Sequence, residues 1–543
     1  MKTKRIIAFL LCLVMVFALT ACGGKEEPAA STGKEEAPVN NEVQVTVSNA
    51  GEGKTEDVTE KEVNEAESAR DLLTIATSGD NGTLLPSKIA GSFVGIVRQY
   101  METLIDFKAD GTMVYVLATD IEQSETEFIV HLREGVTFSN GNPFNADDLM
   151  FTLNYYLNDP TQAMMFSAVN LEGCEKIDEY TVKIALNFYS AMLIGSFSQF
   201  YLYDAESFNE DDMVMHPIGT GPYVVTDYVI NSHVDLEANE NYWGTKAKIK
   251  KLHYKVLNES AQVVNALEAG EVDIAAVPAQ DREYVATMDR YKSLSYYTVF
   301  TPTMQFNFYS DVVGDVVARR AICHCLDRAA ICNLVYFDNA TVLDFPVSMR
   351  SLDYTDDLAN MDDTYAIGYD PELAKQLAEE SGLVGKTVTI ITNGAADYVT
   401  EAEILQANLK DIGVEAKIVN YDSASYWSAS QDPENYDIAL YAAASPQCYA
   451  VGCMYEYVMW GPTAYGAWDK YEDYLALGAA AVANPDAEAR KVSLKEMAQM
   501  FEEIIPWYGI CDQKSTLAIN AGLEGVEIWN SGIMHLSDWY WTE

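Results

Sequence analysis

Between Phe128 and Leu157 the chain reads FIVHLREGVTFSNGNPFNADDLMFTLNYYL, and the period of its apolar residues changes halfway along. Phe128, Val130 and Leu132 alternate with Ile129, His131 and Arg133, the period-two pattern of a strand with one face more deeply buried. Asn140 and Gly141 supply a pair that tolerates positive φ, and Pro143 blocks continuation of a ladder, so the chain must turn there. From Asn145 the period is helical. Asn145 is an N-cap, Asp147 and Asp148 meet the positive end of the helix dipole, and Leu149, Leu153, Tyr156 and Leu157 follow at helical spacing. The two acids read as helix initiation rather than as a catalytic carboxylate pair. From about Asp71 onward, short strands and helices intermingle without a repeat period, which confines the chain to a mixed α and β architecture.

At 543 residues the chain is too long for one ordinary core, so two or three domains are expected. Lys2, Lys4 and Arg5 precede the apolar run IIAFLLCLVMVFAL, the form of a secretory signal peptide over residues 1–21, too short for a comfortable membrane span. The tetrad Leu19, Thr20, Ala21, Cys22 resembles the lipobox of bacterial lipoproteins, which would make Cys22 the lipid-bearing first residue of the mature chain. Residues 22–70 are rich in Glu, Ala, Gly and Ser and nearly free of aromatics, and read as an acidic disordered tether. Losing Lys2, Lys4 and Arg5 with the signal takes the formal charge from -47 to about -50, which excludes nucleic acid as a partner and disfavours adhesion to anionic lipid. The acyl chain is then the only expected membrane attachment.

Nine cysteines are present. Most read as small buried hydrophobes, since a large core has no need of disulfides. Cys448 and Cys453 are close enough to pair, which leaves a disulfide there open. The triplet CHC at Cys323 to Cys325 lacks a second half with ligand spacing and lies in helix-like sequence, so core packing is favoured over a metal. The six histidines are scattered, and no nucleophile elbow, HExxH or phosphate loop is present. No catalytic residue, metal ligand or cofactor is expected.

Five stretches occur in a particular order: LREGVTFSNGNPFNADDL, PIGTGPYVVTDYVINSHVDLEANENYWGTKAKIKKLHYKV, NALEAGEVDIA, RRAICHCLDRAAI and YDPELAKQLAEESGL. Singly, each has a local reading: Gly219 and Gly221 make a turn, Gly270 ends a helix, and Pro371 starts one. Together they resemble the extracytoplasmic solute-binding proteins of the peptide, dipeptide and nickel class that serve ABC importers, from about Leu73 to Trp541. METLIDFKADGTMVYVLATDIEQSE, LQANLKDIGVEAKI and MAQMFEEIIPWYGI are similar to further segments of that family. The resemblance implies an α/β, two-lobed periplasmic-binding-protein-like fold. Lobe one would take residues 71–298, with an inserted subdomain at about 88–215, lobe two 299–509, and residues 510–543 would return to lobe one. It further implies a monomer that encloses a peptide-like or other small solute and works with ABC permease subunits. An oligosaccharide-binding protein, a ligand-presenting partner of a sensor, and an exported enzyme are the alternatives.

One departure from the family bears on the ligand. Many peptide-binding members carry an aromatic and acidic stretch like W..DY.DP after a strand such as YDIALY, with an Asp that neutralises the peptide ammonium. Here no acid stands between Asp437 and Glu456. A buried ammonium without a carboxylate costs several kcal/mol, so recognition of a free amino terminus requires Glu456 to substitute. The segment offers aromatic surface instead. The expected ligand residues are Trp427, Tyr441, Ser445, Tyr455, Glu456 and Trp460, with Asn307 facing them from beyond the hinge.

Overall fold

The computed structural model describes residues 55–60, 67–89, 93–159, 162–298, 300–343, 347–348, 351, 353–354, 367–443 and 449–543. The signal peptide, Cys22, Ser445 and Cys448 lie outside them, and with Cys448 the Cys448–Cys453 pairing. Along the first part of the chain come β1 (Thr55–Asp57), β2 (Leu72–Thr77), α1 (Val94–Tyr100), β3 (Ile105–Phe107), β4 (Met113–Tyr115), β5 (Ala118–Gln123), β6 (Glu127–Leu132), α2 (Ala146–Asn158), β7 (Glu175–Lys176) and β8 (Thr181–Ala185). Next are β9 (Tyr223–Val229), β10 (His233–Ala238), β11 (Lys251–Val256), α3 (Ser260–Ala269), β12 (Ile274–Ala276) and β13 (Tyr291–Tyr297). The second part has β14 (Thr301–Phe306), α4 (Val316–Cys325), α5 (Arg328–Leu334), β15 (Ala340–Val342), α6 (Pro371–Glu380), β16 (Thr387–Thr392), α7 (Ala396–Asp411), β17 (Glu415–Asn420), α8 (Ser423–Ser430) and β18 (Ile438–Ala443). The chain ends with α9 (Ala450–Trp460), α10 (Tyr471–Val482), α11 (Ala487–Ile504), β19 (Trp507–Gly509), β20 (Cys511–Asn520), β21 (Leu523–Glu524) and β22 (Tyr540–Trp541). Among the described residues no helix is long and apolar enough to cross a membrane.

Local chemistry explains these elements. Strand β6 buries Phe128, Val130 and Leu132, the turn has Gly141 at φ 93°, and α2 opens on a capping box. In that box the Asn145 side chain accepts from Asp147 N at 2.8 Å and the Asp148 carboxylate accepts from Asn145 N at 2.8 Å, so both acids serve the helix end. Gly270 caps α3 at φ 66°, and Pro371 takes the first turn of α6 behind Asp370, whose side chain accepts from Leu373 N. Gly219 and Gly221 have another reason than positive φ. A Cβ on either would fall 2.0 Å from the Tyr100 carbonyl oxygen or 2.6 Å from its carbon, so both glycines let a loop pass against the end of α1.

Two sheets dominate. The larger runs β13-β20-β12-β2-β11-β10-β9, with β15 also on β20, and the smaller runs β17-β16-β18-β14-β19. Strands β5-β6-β8-β7 form a separate four-stranded sheet. The chain passes between the two main sheets from β13 to β14 and back from β19 to β20. These passages lie side by side: Thr298 N donates to Gln513 O at 3.2 Å and Ile510 N to Pro302 O at 2.8 Å.

The tether expected through residue 70 ends earlier. Strand β1 pairs in parallel with β4, and Asp57 takes a 2.8 Å ion pair from Arg133 while Glu56 meets Lys108. Two acidic side chains of that stretch, Glu56 and Asp57, thus dock on cations of the globular part. Alternation along the smaller sheet divides its faces. Met304, Phe306, Ile438, Leu440 and Tyr508 join the core under α4 to α7, while Ala443 and Trp507 join the large core that includes residues of α9 to α11. This helical layer also reaches the first part of the chain, where Ala191 N donates to Val482 O at 2.9 Å.

Candidate ligand-binding site

Of the expected ligand residues, Tyr441 lies on the second face of the smaller sheet, Trp427 on α8, and Tyr455 and Glu456 on α9. On β18, Tyr441 is partly buried and stacks on Tyr457 of α9, with ring centroids 5.8 Å apart and planes 22° from parallel. Thr303 Oγ1 donates to its carbonyl at 3.0 Å, which fixes the strand beneath the ring. Helix α8 is tied to the same strand by Tyr426, whose hydroxyl donates to Leu440 O at 2.8 Å. Trp427, the next residue, is 61% exposed, a large apolar ring left in solvent.

Helix α9, AVGCMYEYVMW, is apolar on nearly every side, the composition of a helix enclosed by other elements. Its first turn is held by an acid from a distant segment: Asp353 accepts from Ala450 N at 2.5 Å and Val451 N at 3.1 Å. Val451, Met454 and Val458 are buried. Tyr455 lies on α10 at Gly478, where a Cβ would come 2.5 Å from its ring, so the position packs helix on helix.

Glu456 sits between these packing residues, and its Oε2 is enclosed with no hydrogen-bond partner among the described residues. Burial pushes its carboxyl up to about 8, so the group is protonated at neutral pH. Two other buried acids are raised in the same way and hold a donor on the carboxyl, although Glu401 Oε2, like Glu456 Oε2, has no hydrogen-bond partner among the described residues. Glu102 is raised by burial to about 7, yet it accepts from Tyr242 Oη at 2.7 Å and Trp243 Nε1 at 2.8 Å. Glu401 is raised by burial to about 8 and accepts from Tyr336 Oη at 2.6 Å. Among the described residues no donor reaches Glu456 Oε2, as none reaches Glu401 Oε2, and Glu456 is the first acid after Asp437. Burying a carboxyl oxygen without a donor is costly.

The other expected residues divide. Asn307 is withdrawn from the ligand: it is fully buried, its amide donates to Pro433 O and Tyr436 O at 2.7 Å each, and its Oδ1 accepts from Tyr309 N. Its donors are spent within the fold, locking the loop before β18. Trp460 ends α9, and its side chain is outside the description, as is Ser445. In α4, Cys323 and Cys325 are both buried in the core, and His324 bonds the Gly368 carbonyl at 2.8 Å. Sequence reasoning counts Tyr457 in the aromatic surface of the segment but gives no reason to choose it over the neighbouring tyrosines, and it passes over Asp353, which is too far along the chain to signal a cap.

Residues 112–449 match the family described as bacterial extracellular solute-binding proteins, family 5. Heme-binding protein A of Haemophilus influenzae is 26% identical over 376 residues, covering 62% of this chain and 67% of that protein. The dipeptide-binding protein of Escherichia coli is 25% identical over 378 residues, covering 62% and 69%. Among solved structures, an ABC transporter substrate-binding protein of Listeria monocytogenes aligns with a TM-score of 0.77 at 23% identity, over 88% of this chain and 100% of that one. The NikA protein of Brucella suis in complex with Fe(III)-EDTA gives 0.77 at 20% identity, over 87% and 100%. Structural likeness at this identity establishes the fold, a mixed α/β one of two lobes.

Proposed function

The chain belongs to the bacterial extracellular solute-binding proteins of family 5, and from that premise we propose that it captures a small peptide-like solute between its lobes and delivers it to the permease of an ABC importer. The observation that carries this reading is the pair of adjacent passages between the two main sheets, the arrangement of a hinge. The ligand seat lies along the end of β18 and α9, with Trp427 and Tyr441 as aromatic surface and Glu456 as the polar group. A ligand ammonium would complete Glu456 by driving off its proton, which makes Glu456 the replacement for the acid that this segment lacks. Relatives named for dipeptides and oligopeptides support a peptide-like ligand.

A second reading has its own support. A protonated Glu456 offers an O–H donor, which fits an uncharged solute such as an oligosaccharide or a capped peptide. A thermal-shift screen against free-amino peptides, capped peptides, oligosaccharides and metal chelates separates the two, since a ligand at one hundred times its Kd adds about 2.7 kcal/mol of stability. The peptide reading expects stabilisation by free-amino peptides that Glu456→Gln abolishes. Stabilisation by uncharged ligands alone, indifferent to that substitution, contradicts it.

Attachment to the membrane follows from the leader. Cys22 is the lipidated first residue, and it holds the protein on the extracytoplasmic face behind the acidic tether. Cys22→Ser is expected to free the protein from membranes or leave it unprocessed. Mature protein that begins at another residue by mass spectrometry refutes this assignment.

A further inference from the structure

We propose that the solvent face of β9, β10 and β11 is a binding site for a divalent transition metal of the zinc type, with Asp227, His233 and Asp235 as ligands and His253 as the residue that positions Asp235. The strands assemble what the sequence keeps apart. In the antiparallel register Asp235 lies opposite Asp227 on one side and His253 on the other, and His233, two residues along β10, shares their face. The ladder between β9 and β10 shifts by one residue just beyond Asp235, a bulge of the kind that re-aims side chains.

The ligand atoms converge. His233 Nε2 is 3.1 Å from Asp227 Oδ2 and 3.7 Å from Asp235 Oδ2, and one atom from each of the three residues falls within a 4.8 Å set. The other Asp235 oxygen, Oδ1, is 2.5 Å from His253 Nδ1, and the two imidazole rings lie 5.5 Å apart. Ser232 Oγ is 3.0 Å from His233 Nδ1, a partner that can accept the Nδ1 proton and leave the Nε2 lone pair aimed at the carboxylates. Metal-ligating histidines are commonly oriented by such a partner on the other nitrogen, and ligating carboxylates by a further hydrogen bond.

The basic residues of the same face are engaged elsewhere. Lys255, opposite His233, pairs with Glu271 at 2.6 Å, and Lys251 pairs with Glu237 at 3.0 Å. Neither ammonium is thus committed to the Asp227 and Asp235 carboxylates. One imidazole and two carboxylates form a borderline nitrogen and oxygen set, suited to zinc or its neighbours and not to a calcium cage of many oxygens. Three protein ligands leave a coordination position for water or an outside donor. The site is on the solvent side of the larger sheet and does not depend on the ligand seat at β18 and α9.

Equilibrium dialysis of the metal-stripped chain against Zn2+, read by elemental analysis, is expected to leave one zinc per chain, and Co2+ should give a visible absorption band that Zn2+ displaces. His233→Gln and Asp235→Asn should each abolish the band and the bound metal while leaving the thermal midpoint in EDTA unchanged, since the positions are partly exposed. His253→Gln should weaken binding by about 10- to 100-fold, the usual effect of losing an orienting partner. Glu456→Gln and His324→Gln should leave it unaltered. Zinc that still binds one per chain in His233→Gln, or no retained zinc in the unsubstituted protein, overturns the proposal.

Discussion

In the proposed ligand seat, Glu456 would join ligand binding to protonation. Its carboxyl, raised by burial to about 8, holds a proton at pH 7 before any ligand arrives. An ammonium ligand that pairs with it must expel that proton. Calorimetry at pH 7 in buffers of different ionisation enthalpy should then find close to one proton released per ligand, with affinity rising as the pH is taken from 6 toward 8. Glu456→Gln should remove the release and cost on the order of 2–5 kcal/mol of binding. Binding with no proton release points to the uncharged ligand instead. Glu401 makes the corresponding prediction for stability. Its folded-state value of about 8 lies above the ordinary 4.5, so the native state holds the proton more tightly than the unfolded chain does. That contribution is complete below about pH 4.5 and is lost as the pH rises through 8. Glu401→Gln, which keeps an acceptor for Tyr336, should therefore flatten the decline of thermal midpoint between pH 5 and 8.5, and an unchanged decline shows that other groups govern it.

At the scale of elements, what was legible in the sequence was what local chemistry decides. The cap at Asn145, the alternation in β6, the glycine end of α3 and the proline start of α6 all follow from neighbours within a few residues, and all are present. Long-range contacts were not legible. Gly219 and Gly221 read as turn residues, but their requirement comes from the Tyr100 carbonyl, over a hundred residues away. Asn307 read as a ligand residue because it stands after a strand near the hinge, whereas its partners are carbonyls at 433 and 436. The candidate site was legible as a segment, aromatic and short of acid, but the pairing of Tyr441 with Tyr457 and the isolation of Glu456 depend on how α9 lies on β18. Likewise His233 and His253 look scattered until the register of β10 and β11 sets them side by side. A substitution tests the reading of the glycines. Gly221→Ala drives a Cβ into backbone, which cannot move aside as a side chain can, and should destabilise by about 1–3 kcal/mol or more in denaturant unfolding. A cost within 0.5 kcal/mol would mean that the loop yields freely.

Across the whole molecule, the proposed function requires that the two lobes of the fold move relative to one another. The smaller sheet and its α4 to α7 helices form a core of their own, while its other face shares the large core with the first part of the chain, and β15 pairs with β20. Hinge motion is generally absorbed by a few residues of the connecting passages. The contact of Ala191 N with Val482 O lies where the helical layer meets the first part of the chain. Small-angle X-ray scattering on the lipid-free Cys22→Ser chain, with and without a ligand found by thermal shift, measures this motion directly. Closure about the hinge predicts a smaller radius of gyration and a shorter maximum dimension on adding ligand, reversed when the ligand is dialysed away unaltered. Identical scattering curves at saturating ligand, or a ligand recovered chemically changed, would contradict the account.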